Sequence, residues 1–135
     1  MIFVDTGVFV SAADRDEPRH RDCATLLRGN SELAVAEPVI AEAAWMIESR
    51  LGPSAEARFL RAVIHAPFTI MGLDRDDYLR AINLIETYHD LGLGFVDASI
   101  IALAERSLAT EIATLNRRDF AVVRPRHADA FQLLP

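Results

Sequence analysis

The chain has 135 residues, 51% hydrophobic and 25% charged, a globular balance at the size of one domain, so residues 1–135 are expected to share one core. Its 14 basic and 20 acidic side chains leave a formal net charge of −6, which argues against nucleic-acid binding by bulk charge unless some carboxylates neutralise a bound divalent cation. No apolar run approaches the roughly 18 residues of a membrane span, and Met1-Ile2-Phe3-Val4-Asp5 lacks the basic region and long apolar stretch of a signal peptide, so a cytoplasmic protein without a membrane partner is expected.

Cys23 is the single cysteine; no internal disulfide is possible, and its helical neighbourhood makes it a small buried apolar residue. The basic residues are all Arg, with no Lys, which excludes mechanisms that need a lysine.

In chain order, Ile2-Phe3-Val4 reads as a buried strand, and Thr6 caps a short helix through about Ala13. After the polar loop Asp14–Pro18, a helix runs from about Arg19 to Arg28 and stops at Gly29. Leu33–Ala36 is a second strand, and Pro38 suits the first turn of a helix with Val39, Ile40, Ala43, Ala44 and Ile47 on its apolar stripe, ended by Gly52-Pro53. Ile40, Ala44 and Ile47, with Trp45 and Met46 beside them, are expected to be mostly core, with a groove or dimer face as the alternative. Ser54 caps a fourth helix with Phe59, Leu60, Val63 and Ile64 inward, and Pro67 precedes the strand Phe68–Met71. Asp74 opens a fifth helix through about Tyr88; Gly92–Asp97 leads into a sixth with Ile100, Ile101, Leu103, Ala104 and Leu108 inward. Glu111–Leu115 and Phe131–Leu134 complete the strands, the last at an edge.

Continuous short apolar strands alternating with helices predict an α/β fold with a mainly parallel sheet covered on both faces. Ligands of such sheets gather at the carboxyl ends of the strands. Asp5 stands directly after the first strand, Glu42 lies inside the third helix, and Asp97 lies at the start of the sixth. Each alone reads as a helix cap or a solvated charge. Together, delivered to one end of a parallel sheet, they would repel one another without a cation between them, and Mg2+ (or Mn2+ as a substitute) suits such an oxygen-donor cluster. His20, His65, His89 and His127 follow no zinc-ligand spacing and read as surface or helix-end residues.

Val4-Asp5-Thr6 after the first strand, Glu42 in a helix after Pro38, Gly92-Leu93-Gly94-Phe95-Val96-Asp97-Ala98 opening a helix, and Thr114-Leu115-Asn116-Arg117-Arg118-Asp119-Phe120 after a strand resemble, in order and spacing, the four signature segments of VapC-type PIN domains. The resemblance spans essentially the whole chain. It implies a three-layer α/β/α sandwich, a Mg2+-dependent endoribonuclease that leaves 5′-phosphate and 3′-hydroxyl ends, inhibition by a cognate VapB antitoxin, and a homodimer. Carried over by position, Asp5, Glu42 and Asp97 become the acidic metal site, with Thr6 and Thr114 as nearby polar groups. Many relatives have Asp where this chain has Asn116, whereas others have Asn there with an acidic residue shortly after; Asn can coordinate or position a water through its carbonyl oxygen but adds no charge, which weakens the case for a second metal. Asp119 is the candidate for the missing carboxylate, one helical turn later, with a capping or surface role as its alternative. Arg15, Arg19, Arg21, Arg117 and Arg118 are candidate phosphate contacts, although solvated arginines are the commoner case.

Other classes fit less well. Phosphoacceptor receiver domains and haloacid-dehalogenase-like phosphatases need a lysine, and the latter also want an Asp where Gly7 stands. The serious rival is a PIN-like module that holds RNA or a partner without cutting it, which Asn116 makes admissible.

Overall fold

The computed structural model describes residues 1–30 and 32–135. Five strands, β1 (Ile2–Val4), β2 (Leu33–Ala36), β3 (Phe68–Met71), β4 (Glu111–Ala113) and β5 (Gln132–Leu134), form one sheet of order β3-β2-β1-β4-β5. Every pairing is parallel, with Phe3 opposite Ala34 on one side and Ile112 on the other. Parallel neighbours require crossovers, supplied by helices α1 (Thr6–Ala13), α2 (His20–Gly29), α3 (Glu37–Leu51), α4 (Pro53–His65), α5 (Arg75–Thr87), α6 (Phe95–Ser107) and α7 (Arg117–Val122). Right-handed crossovers put the helices joining β1 to β2 and β3 on one face and those leading to β4 and β5 on the other. The observed packing of α1 on α2 and α3, and of α5 on α6, fits those two layers.

Strands β1 and β2 are buried along their whole length, as their unbroken apolar sequences require. Edge strand β3 is not, and Ile70 is 41% exposed. The core is filled by Phe3, Val8, Val35, Val39, Ile47, Leu84, Ile112 and Phe120, with Cys23 buried among them as expected. Helix α6 is buried continuously from Ala98 to Ala104, since its sequence Ala-Ser-Ile-Ile-Ala-Leu-Ala offers no charged face. Its first turn, which holds Asp97, is therefore fixed by the whole core.

Several local expectations change. Asp5, not Thr6, caps α1, because its Oδ1 accepts from the Thr6 N–H. Gly52 precedes α4 with Pro53 in its first turn, so Ser54 is already helical. Leu60 and Ile64 are 40% and 67% exposed; α4 turns Ala55, Phe59 and Val63 inward instead. Leu108 ends α6 at φ 60 and is 71% exposed, a left-handed residue where glycine is favoured. Strand β4 stops at Ala113; Thr114 still donates its N–H to the Leu134 carbonyl, and the chain turns towards α7 after it.

Two substitutions test this packing by urea unfolding. Ile101→Ala, in the fully buried stretch, is expected to lower stability by about 2–5 kcal/mol. Leu108→Gly should raise it by up to about 1 kcal/mol by relieving the left-handed strain without losing buried surface. A destabilised Leu108→Gly would contradict the α6 ending described.

Candidate metal centre

The strand order reverses direction between β1 and β4, and at such a switch point the carboxyl ends of a parallel sheet open a crevice. A cavity of about 630 Å³ lies there, lined by Asp5, Glu42 and Asp97 together with Thr6, Asn116, Met46, Phe95, Val96, Leu115 and the glycines Gly7 and Gly94. Three elements distant in sequence thus bring their carboxylates to one space. No Arg or His is among the lining residues.

Asp5 is the most tightly held. It is 5% exposed, its Oδ1 accepts from the Thr6 N–H at 2.7 Å, and its Oδ2 accepts from the Thr114 hydroxyl at 2.7 Å. Thr114, wholly buried, accepts in turn from the Asn116 N–H at 2.9 Å. A short relay from β4 therefore fixes the side chain that follows β1. Thr114 lies behind the cavity and acts on it through Asp5. Cap and cavity carboxylate, alternatives in the sequence, are here one residue using two oxygens.

Asp97 does not cap α6; that position is Gly94, and Asp97 is the third helical residue. Its Oδ2 accepts a long 3.4 Å contact from the Asn116 side-chain amide, whose Nδ2 also donates to Asp119 Oδ2 at 2.9 Å. Asn116 is thus a neutral bridge between two carboxylates, with its amide nitrogen committed to them. Asp119 comes back to Asn116 over the first turn of α7, as the three-residue spacing suggested, and Arg118 flanks it at 3.7 Å.

Glu42, on α3, is half-buried and lines the cavity. Arg15 is exposed, Arg19 pairs with Asp22 at 3.2 Å, and Arg117 donates to the Pro135 carbonyl at 2.9 Å. None of these, nor the exposed Arg21, lines the cavity. Of the expected phosphate contacts only Arg118 adjoins the carboxylate group, through Asp119. Sequence reasoning did not single out Phe95 and Met46 as cavity residues; the placement of Phe95 two residues before Asp97 was the available signal.

Burial and like charge act together on the acids. Burial, then the charges of Asp5, Asp119 and Glu42, push the Asp97 carboxyl up to about 7 despite the Asn116 amide. Burial raises Asp5 as well, with Glu42 adding to it and the bonds from Thr114 and Thr6 opposing. These are the marks of a negative cluster short of a cation. The donors are all hard oxygens, and Thr6 Oγ1 is buried at the same place without a hydrogen-bond partner among the described residues. Among the described residues no three His, Cys, Asp or Glu side chains form a ready-made cage. An open carboxylate-lined cavity nevertheless suits Mg2+, which retains several of its waters instead of requiring an all-protein shell.

Comparisons with known proteins agree with this architecture. A family model described as PIN domain matches residues 2–124. The chain is 27% identical over 135 residues to Ribonuclease VapC26 of Mycobacterium tuberculosis, covering 99% of this chain and 100% of that protein. Among solved structures, it is similar to VapC20 of Mycobacterium tuberculosis, a Sarcin-Ricin loop cleaving toxin, at TM-score 0.78 and 18% identity, covering 83% of this chain and 87% of the other. It is likewise similar to VapBC2 from Rickettsia felis bound to a DNA fragment from its promoter, at TM-score 0.71 and 19% identity over 100% of both chains.

Two predictions follow from the titrations. Unfolded Asp titrates near 4, so between that value and about 7 native Asp97 retains a proton that the unfolded chain has released. Its contribution to stability is thus present at low pH and lost as pH rises through 7. In EDTA, the melting temperature should fall between pH 5 and pH 8, and Asp97→Asn should flatten that slope and add about 1–2 kcal/mol at pH 8, discounted for partial solvent screening. Equal slopes for the two proteins would contradict the burial and charge assigned to Asp97. Thr114→Val should cost about 1–3 kcal/mol and raise the Asp5 titration seen by NMR, because a buried donor to its carboxylate is lost; an unmoved Asp5 resonance would reject the relay.

Proposed function

Since the chain belongs to the PIN-domain family, we propose that it is a Mg2+-dependent endoribonuclease toxin of the VapC type. The observation that supports this best is the convergence of Asp5, Glu42 and Asp97 on one cavity without a basic side chain. The name of the relative Ribonuclease VapC26 and its full-length likeness point to the same activity.

Asp5, Asp97 and Glu42 would hold the ion, directly or through water, and Mn2+ would substitute for it. When bound, the ion supplies the positive charge that admits a phosphodiester to an acidic cavity and stabilises negative charge developing on its oxygens. The chain's own groups divide the rest. Asp5 stays fixed by Thr6 and Thr114. The Thr6 hydroxyl, which has no hydrogen-bond partner among the described residues, is available to orient a phosphate oxygen or a water. Glu42 and Asp97 provide carboxylates that orient the attacking water and accept its proton, while Asn116 keeps Asp97 and Asp119 apart without adding charge.

A VapB-type antitoxin as partner is part of the proposal, supported by the VapBC2 complex among the similar structures. A second cavity of about 360 Å³, lined by Phe9, Leu27, Phe59 and Phe68 with Arg28 and Arg58, suits a partner segment that brings apolar side chains and carboxylates. A homodimer belongs to the same reading and is testable by sedimentation. Among the described residues no helix is long and apolar enough to cross a membrane; a cytoplasmic location is proposed with the toxin role.

Asp5→Asn should lower Mg2+-dependent cleavage of total cellular RNA at least about 100-fold while the circular-dichroism spectrum is retained. Wild-type cleavage by purified Asp5→Asn, or wild-type activity that persists in EDTA, would sink the assignment. RNA bound but uncut, by a protein with no measurable Mg2+ affinity, would select the binding-module alternative.

A further inference from the structure

Phe95 has a second feature besides lining the acidic cavity. Its ring is 40% exposed and lies parallel to that of Tyr78 on α5, with centroids 5.8 Å apart and planes 12° from coplanar. Tyr78 is itself 50% exposed. An offset pair at this separation is mutually stabilising, yet the pair is not folded into the core. Next to it, Gly94 lines the same cavity and has an ordinary negative φ of −88; a Cβ built on it would meet nothing within 4 Å. Neither backbone conformation nor packing explains that glycine, and open space stands over it.

The electrostatics give this aromatic pair a task. The chain has a net charge of −6, and no Arg or His lines the cavity, so phosphate attraction by the protein itself is weak where the reaction is placed. Affinity for a polyanion must then come in part from groups indifferent to charge, and an exposed aromatic face beside the phosphate site is one. Every base has a π-face, but in a duplex both faces are covered by neighbours, so only an unpaired base can use the platform.

We infer that Phe95 and Tyr78 form a stacking platform for an unpaired nucleobase beside the acidic cavity. This inference rests on the ribonuclease reading. Phe95 is a binding residue in it, and Tyr78 a positioning residue that holds the Phe95 ring.

The test uses the full chain in Mg2+ with a short 2′-O-methyl oligoribonucleotide containing 2-aminopurine, and the same oligonucleotide with abasic positions. Wild-type protein should quench the 2-aminopurine on binding. Phe95→Leu should weaken binding by about 5- to 100-fold, the range for loss of one stacked base, and abolish the quench, while Phe95→Trp retains both. Mg2+ affinity should be unchanged, and the melting temperature should fall only by the small amount that loss of the aromatic pair costs. Tyr78→Leu, an exposed position, should give a smaller loss and serves if Phe95→Leu folds poorly. On Phe95→Leu, the abasic oligonucleotide should bind no worse than the intact one.

Wild-type affinity in Phe95→Leu, or equal binding of abasic and intact oligonucleotides to the wild type, would overturn the platform while RNA cleavage by the wild type leaves the ribonuclease reading standing. A wild type that neither binds nor cuts any RNA would remove that reading and the platform with it. A dimer that dissociates in Phe95→Leu with oligonucleotide binding intact would assign the aromatic pair to a contact between copies and overturn the inference.

Discussion

Asp5, Glu42 and Asp97 meet at one cavity with no basic side chain in its lining, and the cost of that arrangement constrains everything around it. Carboxylates taken partly out of water favour their neutral forms, and neighbouring like charges favour them further. Asp97 shows both effects, its carboxyl pushed up to about 7. A protein with only stability to satisfy would neutralise such a group with an arginine; this chain has fourteen basic residues and places none in the cavity. The arrangement is coherent if the missing charge arrives as a ligand.

The scaffold is organised to hold that repulsion. Helix α6, buried from Ala98 to Ala104, anchors Asp97 to the core, and the Thr114 hydroxyl fixes Asp5 from the adjacent strand end. Asn116 contacts both Asp97 and Asp119 through one amide, where an aspartate would add a further negative charge beside Asp5, Glu42, Asp97 and Asp119 and remove the donor. The residue that in the sequence offers a carbonyl oxygen without a charge also acts here, through its amide nitrogen, as a hydrogen-bonded spacer. Farther away, Arg80 grips Glu105 with two bonds of 2.7 and 2.9 Å and Arg106 reaches Asp77 at 3.0 Å, clamping α5 to α6. Arginine pairing is thus used freely outside the cavity and withheld within it.

The parts legible in the sequence were those set by local pattern. Unbroken apolar triplets and quartets such as Ile2–Val4 and Leu33–Ala36, too short for helices and alternating with helical stretches, read as strands buried on both faces, and the position of Asp5 after the first of them located the crevice. The facing of individual helix residues was less accessible. Leu60, Ile64 and Leu108 read as core but are exposed, because helix phase and the left-handed ending at Leu108 depend on which neighbours are present. Asp5 and Thr6 exchange capping roles for a similar reason: adjacent polar residues both have cap chemistry, and only the backbone decides. The bridging of Asn116 to Asp97 and Asp119 is tertiary and has no linear signature. Arginine near a site segment was a weak guide, as Arg117 spends its guanidinium on the Pro135 carbonyl.

The most direct measurement of the central claim is an anomalous difference map from crystals soaked in Mn2+, a scatterer with the same preference for oxygen donors. The account predicts density in the cavity within coordination reach of the Asp5, Glu42 and Asp97 carboxylates. A fully soaked crystal with manganese elsewhere on the surface and none in that cavity would contradict it.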